Sequence, residues 1–183
     1  LEYRGYDSAG IAVLENGGIE IRRDAGKLAV LSQLVAENPV SGKLGIGHTR
    51  WATHGEPNAR NAHPHMGMTG DVVIVHNGIV ENFIELRDEL IAEGAEFSSD
   101  TDTEVIAHLI ERYLTLDGGL PEAARRALNH LRGAHGVVAF SRNEPDKLVA
   151  ARIGNAGGVT LRLNDKEVLV AGKSGEMVNL DLP

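Results

Sequence analysis

At the end of a β-strand predicted over 43–49, the chain reads Gly47-His48-Thr49-Arg50-Trp51-Ala52-Thr53-His54-Gly55. This run brings hydroxyls, a guanidinium, an indole and two imidazoles to the point where a strand ends, which is where binding and catalytic residues tend to lie. By itself the run is equally compatible with a surface loop that holds one core tryptophan. The segments on either side of it are therefore needed to decide what it does.

The elements on both sides of this run indicate an α+β domain. The earlier part of the chain predicts a β-hairpin and then an amphipathic helix from Gly26 to Glu37. The later part predicts an unbroken apolar strand over 71–76, helices over 81–93, from 101 and over 121–131, and strands over 135–141, 148–152, 159–163 and 168–171. Strands grouped at both ends with helices between them predict a layered α+β architecture.

Composition excludes several classes of protein. A length of 183 residues predicts one domain, and 42% hydrophobic with 24% charged residues is typical of a soluble globular chain. The net charge is -8 and the basic residues form no stripe, so nucleic acid is not expected as a partner. Neither a membrane-spanning run nor a secretory signal is present, and the chain is predicted to be cytoplasmic with no membrane partner.

Cysteine is absent from the sequence, which excludes a thiol nucleophile, a disulfide and a thiolate metal site within these residues. The first residue is Leu rather than Met, which predicts a natural start further upstream. Eight histidines raise the possibility of a metal protein. However, His63-Pro64-His65 lacks the helical spacing and the acidic partner of a known metal motif, so we expect hydrogen-bonded imidazoles, no metal and no cofactor.

Two further polar segments are candidates for a site. His76-Asn77-Gly78 ends the buried strand with an amide and a glycine, although Asn-Gly is more often only a turn. Asp100-Thr101-Asp102-Thr103-Glu104 gathers carboxylates where a helix begins. Its default interpretation is a capping box, and a functional role requires one carboxylate to face a cavity.

Five ordered segments together carry a family resemblance: Leu1 to Gly10, His48 to Gly55, Asn61 to His65, Val75 to Gly78 and Thr101 to Glu104. They resemble the glutaminase domain of glutamine:fructose-6-phosphate amidotransferase, the glucosamine-6-phosphate synthase family. The resemblance is clearest over residues 1–152. We therefore interpret residues 1–183 as one partial type-2 glutamine amidotransferase domain.

This resemblance implies a fold and a reaction. The fold is a four-layer αββα sandwich of the N-terminal nucleophile hydrolase type, with two antiparallel sheets between helices; the family's N-terminal strand and helix are missing here. In the family, an N-terminal cysteine attacks the side-chain amide of glutamine, ammonia leaves, and a thioester is hydrolysed to glutamate. Because these residues include no cysteine, the chain is predicted to be inactive by itself.

The resemblance also assigns roles to individual residues. Arg50 would bind the α-carboxylate of L-glutamine and Asp102 its ammonium, because a planar guanidinium binds a carboxylate bidentately. Asn77 and Gly78 would stabilise the oxyanion. The remaining assignments are Thr53, His54 and His63 in the pocket, Trp51 as a mobile lid, and Arg4 and Gly5 beneath the nucleophile.

Partners and alternatives follow from the same resemblance. Sugar-phosphate isomerase domains and a homodimer are expected for the full-length protein, with ammonia passed to fructose 6-phosphate. The alternatives are the glutaminase domain of amidophosphoribosyltransferase or of another class member, and a non-catalytic glutamine-binding module. Every glutamine-based interpretation requires Arg50, Asn77 and Asp102 to converge on one cleft.

Overall fold

The computed structural model describes residues 7–51, 55–114 and 118–155, and the backbone of 158–163 and 168–173. The strands of this part of the chain are β1 (Ser8–Glu15), β2 (Gly18–Ala25), β3 (Gly45–Arg50), β4 (His65–Met66), β5 (Val72–Gly78), β6 (His135–Ser141), β7 (Leu148–Ile153), β8 (Gly158–Leu163) and β9 (Val168–Lys173). The helices are α1 (Leu28–Glu37), α2 (Phe83–Ala92), α3 (Thr103–Leu114) and α4 (Gly119–Leu128).

The first sheet has the order β2-β1-β3, with antiparallel pairing throughout. The predicted hairpin forms β1 and β2, and its turn places Asn16 and Gly17 at positive φ, where asparagine and glycine are tolerated best. Strand β3 pairs with β1 so that Arg50 lies opposite Ser8. This register places Arg50 at one end of the sheet.

The second sheet has the order β4-β5-β6-β7 and is also antiparallel, while β8 and β9 form a separate antiparallel ladder. Successive side chains of a strand point to opposite faces, and both faces of β5 are covered. Val72 and Ile74 join a cluster with helices α2, α3 and α4, whereas Val73 and Val75 join a cluster with the first sheet. The unbroken apolar run therefore lies in the middle of the domain.

The layers run α1, first sheet, second sheet, and then α2, α3 and α4. Ala12, Ile46 and Phe140 are buried between the two sheets, and the larger apolar cluster lies between the second sheet and the helices. Two antiparallel sheets thus lie between helical layers. The predicted α+β sandwich is confirmed.

Local details differ from the sequence predictions in three places. Strand β4 is two residues long and lies just before the strand predicted over 71–76, where the sequence predicts no element. Helix α4 begins at Gly119 rather than at Pro121. The capping-box prediction is wrong, because the Glu104 carboxylate accepts hydrogen bonds from Ser98 and Ser99, and the Thr101 N–H donates to Ser99 Oγ instead.

Within the described ranges, every helix is too short or too polar to cross a lipid bilayer.

Candidate functional site

A cavity of about 270 Å³ opens where the ends of β3 and β5 meet the start of α3. The three elements come from distant parts of the sequence. The side chains and backbone around the cavity are those of His48, Thr49, Arg50, Trp51, His63, His76, Asn77, Gly78, Thr101, Asp102 and Thr103. The wall therefore carries one guanidinium, one carboxylate, one carboxamide and several imidazoles and hydroxyls.

Arg50 is the permanently charged cation among the described residues of this wall. It is only 4% exposed, and its Nη2 donates to the Gly55 carbonyl oxygen at 3.2 Å. Burial lowers the pKa of Arg50, and the nearby charges of Asp7 and Asp102 oppose that effect. A guanidinium remains charged at neutral pH even when its pKa falls, so the cavity holds a fixed positive charge.

Asp102 lies directly before α3 and is nearly fully buried. Its Oδ2 accepts the Val80 backbone N–H at 2.7 Å, which ties the residue to the segment that follows β5. Asp102 also lines the cavity, so this residue borders both the cavity and the β5–α2 connection rather than only its own helix. This is the geometry that a functional role for the acidic segment requires.

Asn77 and Gly78 lie at the end of β5, opposite Gly136 and His135 of β6. The Asn77 Oδ1 accepts a hydrogen bond from His48 Nε2 at 3.1 Å. Gly78 has a φ of 138°, and a Cβ added there would lie 2.2 Å from the Ala134 carbonyl oxygen. Only glycine fits this position, because both the conformation and the space exclude a side chain.

A hydrogen-bonded chain of side chains runs behind Gly78. His135 Nε2 lies 3.1 Å from the Arg132 carbonyl oxygen, His135 Nδ1 lies 3.1 Å from His76 Nε2, and His76 Nδ1 lies 3.0 Å from Thr103 Oγ1. A carbonyl can only accept, so a neutral His135 carries its proton on Nε2 and accepts on Nδ1. His76 then donates from Nε2, and the Thr103 hydroxyl donates to His76 Nδ1.

Three further imidazoles pack beside this chain. His48 and His63 are stacked with ring centroids 4.4 Å apart, and His65 meets His63 edge-on at 4.9 Å. Burial is the largest cause that lowers the pKa of His48, His63, His65 and His76. The imidazoles are therefore neutral at physiological pH and leave the charge pattern of the cavity to Arg50 and Asp102.

The structure brings six of the predicted site residues together around this cavity: Arg50, Trp51, His63, Asn77, Gly78 and Asp102. Trp51 lies at the rim with 63% of its surface exposed, and His63 belongs to the buried wall. The predicted residues Arg4, Gly5, Thr53 and His54 lie outside the described residues. The required convergence of Arg50, Asn77 and Asp102 is present in the geometry.

The sequence interpretation missed several members of the wall, which are His48, Thr49, His76, Thr101 and Thr103. The period of a β-strand offers a signal for two of them. His48 shares a strand face with Arg50, and His76 shares one with Gly78, since alternate residues point to the same side. The threonines around Asp102 carry no comparable signal, because their direction depends on how α3 docks.

Metal binding is not supported by this arrangement. Across the described ranges, no group of three or more histidine and carboxylate side chains is placed to hold a metal ion. The imidazole nitrogens of His76 and His135 are instead used by one another, by Thr103 and by the Arg132 carbonyl. These contacts match hydrogen-bonded imidazoles, which is how a polar buried segment satisfies its donors and acceptors.

A family model described as a glutamine amidotransferase domain matches residues 48–173. The chain belongs to this family. Similar curated proteins include the glutamine–fructose-6-phosphate aminotransferase (isomerizing) of Mesorhizobium japonicum, which is 54% identical over 154 residues, covering 84% of this chain and 25% of that protein. The enzyme of the same name from Chlorobaculum tepidum is 46% identical over 183 residues, covering 97% and 29%. This amidotransferase domain thus spans about a quarter of the length of these relatives.

Solved structures with the same fold include an amidotransferase. The glutamine phosphoribosylpyrophosphate amidotransferase from B. subtilis superposes with a TM-score of 0.74 at 24% identity, covering 92% of this chain and 36% of that chain. A structure described as the allosteric regulatory enzyme of purine biosynthesis gives a TM-score of 0.71 at 26% identity, with coverages of 93% and 37%. The fold of this amidotransferase domain is therefore the αββα sandwich of the N-terminal nucleophile type.

Proposed function

We propose that this amidotransferase domain binds L-glutamine in the cavity between β3, β5 and α3 and supplies the binding and oxyanion parts of a glutaminase. The observation that carries the proposal is the convergence of Arg50, Asp102 and Asn77 on one cavity. The ammonia released would pass to fructose 6-phosphate in a longer enzyme, as the names of the relatives at 45–54% identity suggest.

The two charges suit the head group of an amino acid. A free α-amino acid carries a carboxylate and an ammonium on one carbon, and Arg50 and Asp102 offer one partner for each. Buried charges in a cavity with little water interact more strongly than exposed ones, so a zwitterion that pairs with both gains more than either group alone would give. We propose Arg50 for the carboxylate and Asp102 for the ammonium.

The Asn77–Gly78 end of β5 suits the reacting carboxamide. Attack on the side-chain amide of glutamine moves negative charge onto the carbonyl oxygen, and fixed donors there typically lower the barrier by about 3–4 kcal/mol. The Asn77 carboxamide and the Gly78 backbone N–H are proposed as those donors. His63 completes the buried wall, and Trp51 at the rim is proposed as a lid over a bound ligand.

The nucleophile is not among these residues, because the sequence contains no cysteine. In the family it is an N-terminal cysteine, and Arg4 and Gly5 are proposed to orient it, with Thr53 and His54 completing the substrate pocket. The 183-residue chain is therefore expected to bind glutamine weakly and not to hydrolyse it. Isomerase domains and a homodimer are proposed for the longer protein.

A second candidate is the glutaminase domain of amidophosphoribosyltransferase, which the matching B. subtilis structure suggests. Its identity of 24% is well below the 54% of the Mesorhizobium japonicum aminotransferase. The higher identity favours the sugar-phosphate branch.

A binding module without catalysis differs from both enzymes because its full-length form has no nucleophile. Mass spectrometry of the natural protein's N-terminus distinguishes it from them.

The test of the glutamine site is a titration of the isotope-labelled chain with L-glutamine, followed by NMR. We expect saturable shifts at residues around the cavity. R50M removes the guanidinium and is expected to weaken binding by about 10- to 100-fold, the usual worth of a hydrogen bond to a charged group. D102N is expected to weaken it comparably, while the Asn side chain can still accept from Val80.

Matched controls come from the surface nearby. Arg60 and Asp100 form an exposed ion pair close to the site in sequence, so R60M and D100N alter the same residue types without touching the cavity wall. Both controls should bind like the unaltered chain. No saturable binding to the unaltered chain, or equal losses in the controls, would contradict the glutamine site, and glutamate release above background would contradict the expected inactivity.

A further inference from the structure

We propose that His48 is a positioning residue that fixes the Asn77 carboxamide so that its NH₂ group, rather than its oxygen, faces the cavity. The proposal rests on the proposed glutamine site. It concerns a residue that lines the cavity but has no charge to offer a zwitterion. It also explains how the Asn77 carboxamide, which can rotate by about 180° about its terminal bond, is held as a hydrogen-bond donor toward the cavity.

The contact between the two side chains sets their hydrogen-bond roles. His48 Nε2 lies 3.1 Å from Asn77 Oδ1, and a carboxamide oxygen can only accept. Nε2 must therefore carry the proton. The neutral imidazole has one N–H, so Nδ1 is left as a bare acceptor, and in the described ranges His48 Nδ1 has no hydrogen-bond partner.

The opposite arrangement is disfavoured by the same geometry. If Asn77 turned its NH₂ group toward His48, Nε2 would have to accept and the proton would move to Nδ1. That proton would then be a buried donor without an acceptor among the described residues, which is costlier than a bare ring nitrogen. The surroundings of Nδ1 thus decide the orientation of Asn77.

His48 itself is held firmly. It lies on β3 opposite Gly10 of β1, and its ring is stacked on His63 with an interplanar angle of 27°. Burial also lowers the pKa of His48, which keeps the ring neutral and preserves its single donor. With Asn77 Oδ1 occupied by this donor, the two N–H bonds of the carboxamide are left for a ligand.

Two variants separate this role from packing. H48Q places an amide nitrogen near the position of Nε2 and keeps a donor for Asn77, whereas H48M has nearly the same shape and has none. Both lose the stacking on His63, so the comparison between them isolates the hydrogen bond. Thermal unfolding monitored by circular dichroism confirms that both variants are folded.

Two ligands separate positioning from general binding. L-glutamine has a side-chain carbonyl for Asn77 to contact, while L-norvaline has the same amino-acid head and an apolar side chain. We expect H48M to weaken L-glutamine binding by about five- to tenfold, which is the worth of one ordinary hydrogen bond, and to leave L-norvaline binding unchanged. H48Q should recover most of the loss.

A measurement without ligand or variant tests the same proposal. Two-bond ¹H–¹⁵N correlation spectra of the histidine side chains should place the His48 proton on Nε2. A proton on Nδ1, an equal loss for both ligands in H48M, no loss at all, or no recovery in H48Q would each overturn the proposal. If the unaltered chain binds neither ligand, the proposed glutamine site fails, and the tautomer still decides the orientation of Asn77.

Discussion

Acidification to about pH 5 is expected to destabilise this amidotransferase domain before most of its carboxylates titrate, because His65 and His76 are buried in neutral form. His65 and His76 are 1% and 4% exposed. Burial, followed by the charge of Arg23, lowers the pKa of His65 to about 3. Burial, followed by the neighbouring His135, lowers the pKa of His76 to about 3 as well.

The direction of the effect follows from proton linkage. The unfolded chain has ordinary histidines with a pKa of about 6.5, so it takes up protons before the folded chain does. The stabilisation is fully present above about pH 6.5 and is lost progressively as the pH falls toward the folded pKa near 3. At about pH 5, each histidine is almost fully protonated in the unfolded chain and neutral in the folded chain. This difference lowers the free energy of unfolding by about 2 kcal/mol per histidine.

The two histidines together should therefore remove about 4 kcal/mol from the free energy of unfolding between about pH 7.5 and pH 5. This is a large part of the roughly 5–15 kcal/mol that holds an ordinary domain together. Burial also lowers the pKa values of His48, His63 and His135. These three groups therefore also reduce the free energy of unfolding as the pH falls. Carboxylates contribute little in this window because their unfolded pKa values lie near or below 4.5.

Urea unfolding at both pH values, followed by circular dichroism at constant ionic strength, measures this difference. H65Q removes one titrating ring while keeping an amide nitrogen near Thr101, and it should reduce the pH-dependent loss by about 2 kcal/mol. H130Q alters an exposed histidine outside the cluster and should retain the full loss. A difference below about 1 kcal/mol for the unaltered chain would refute the neutral, buried state of these imidazoles.

Three substitutions test other parts of the structure by urea unfolding. G78A should cost about 2 kcal/mol or more, because φ is 138° and the new Cβ would meet the Ala134 carbonyl oxygen; an unchanged midpoint would contradict this. E111A should cost about 3 kcal/mol, because the Glu111 carboxylate accepts three backbone N–H groups from residues 69–72; E111Q should cost less, and equal losses would argue against the hydrogen bonds. F140A should cost about 3–5 kcal/mol by opening a cavity between the sheets, and a loss under about 1 kcal/mol would place Phe140 elsewhere.

The sequence determined the order and type of most elements because their signals are local. The apolar run over 71–76 predicted a strand covered on both faces, and β5 is buried between helices and sheet. Helical spacing and strand alternation are patterns of neighbouring residues, so they can be recognised without knowing the tertiary contacts. Strand β4 carried too short a pattern to be seen, since two residues define no period.

The error at the acidic segment shows where local reasoning stops. Thr101 and Glu104 have the spacing of a capping box. However, the Glu104 carboxylate accepts hydrogen bonds from the backbone N–H groups of Ser98 and Ser99 and not from that of Thr101. A charged side chain pairs with the best donors within its reach. Sequence spacing fixes only some of those donors.

The site divides in the same way. The sequence itself supplies a cation, a carboxamide and an anion at positions 50, 77 and 102. Their role in an amino-acid pocket was implied by the family resemblance that the surrounding motifs carry. Their meeting around one cavity, and the hydrogen bond from His48 that orients Asn77, depend on how β3, β5 and α3 pack. Side-chain direction is set by neighbours far away in the chain, and only the folded structure brings those neighbours together.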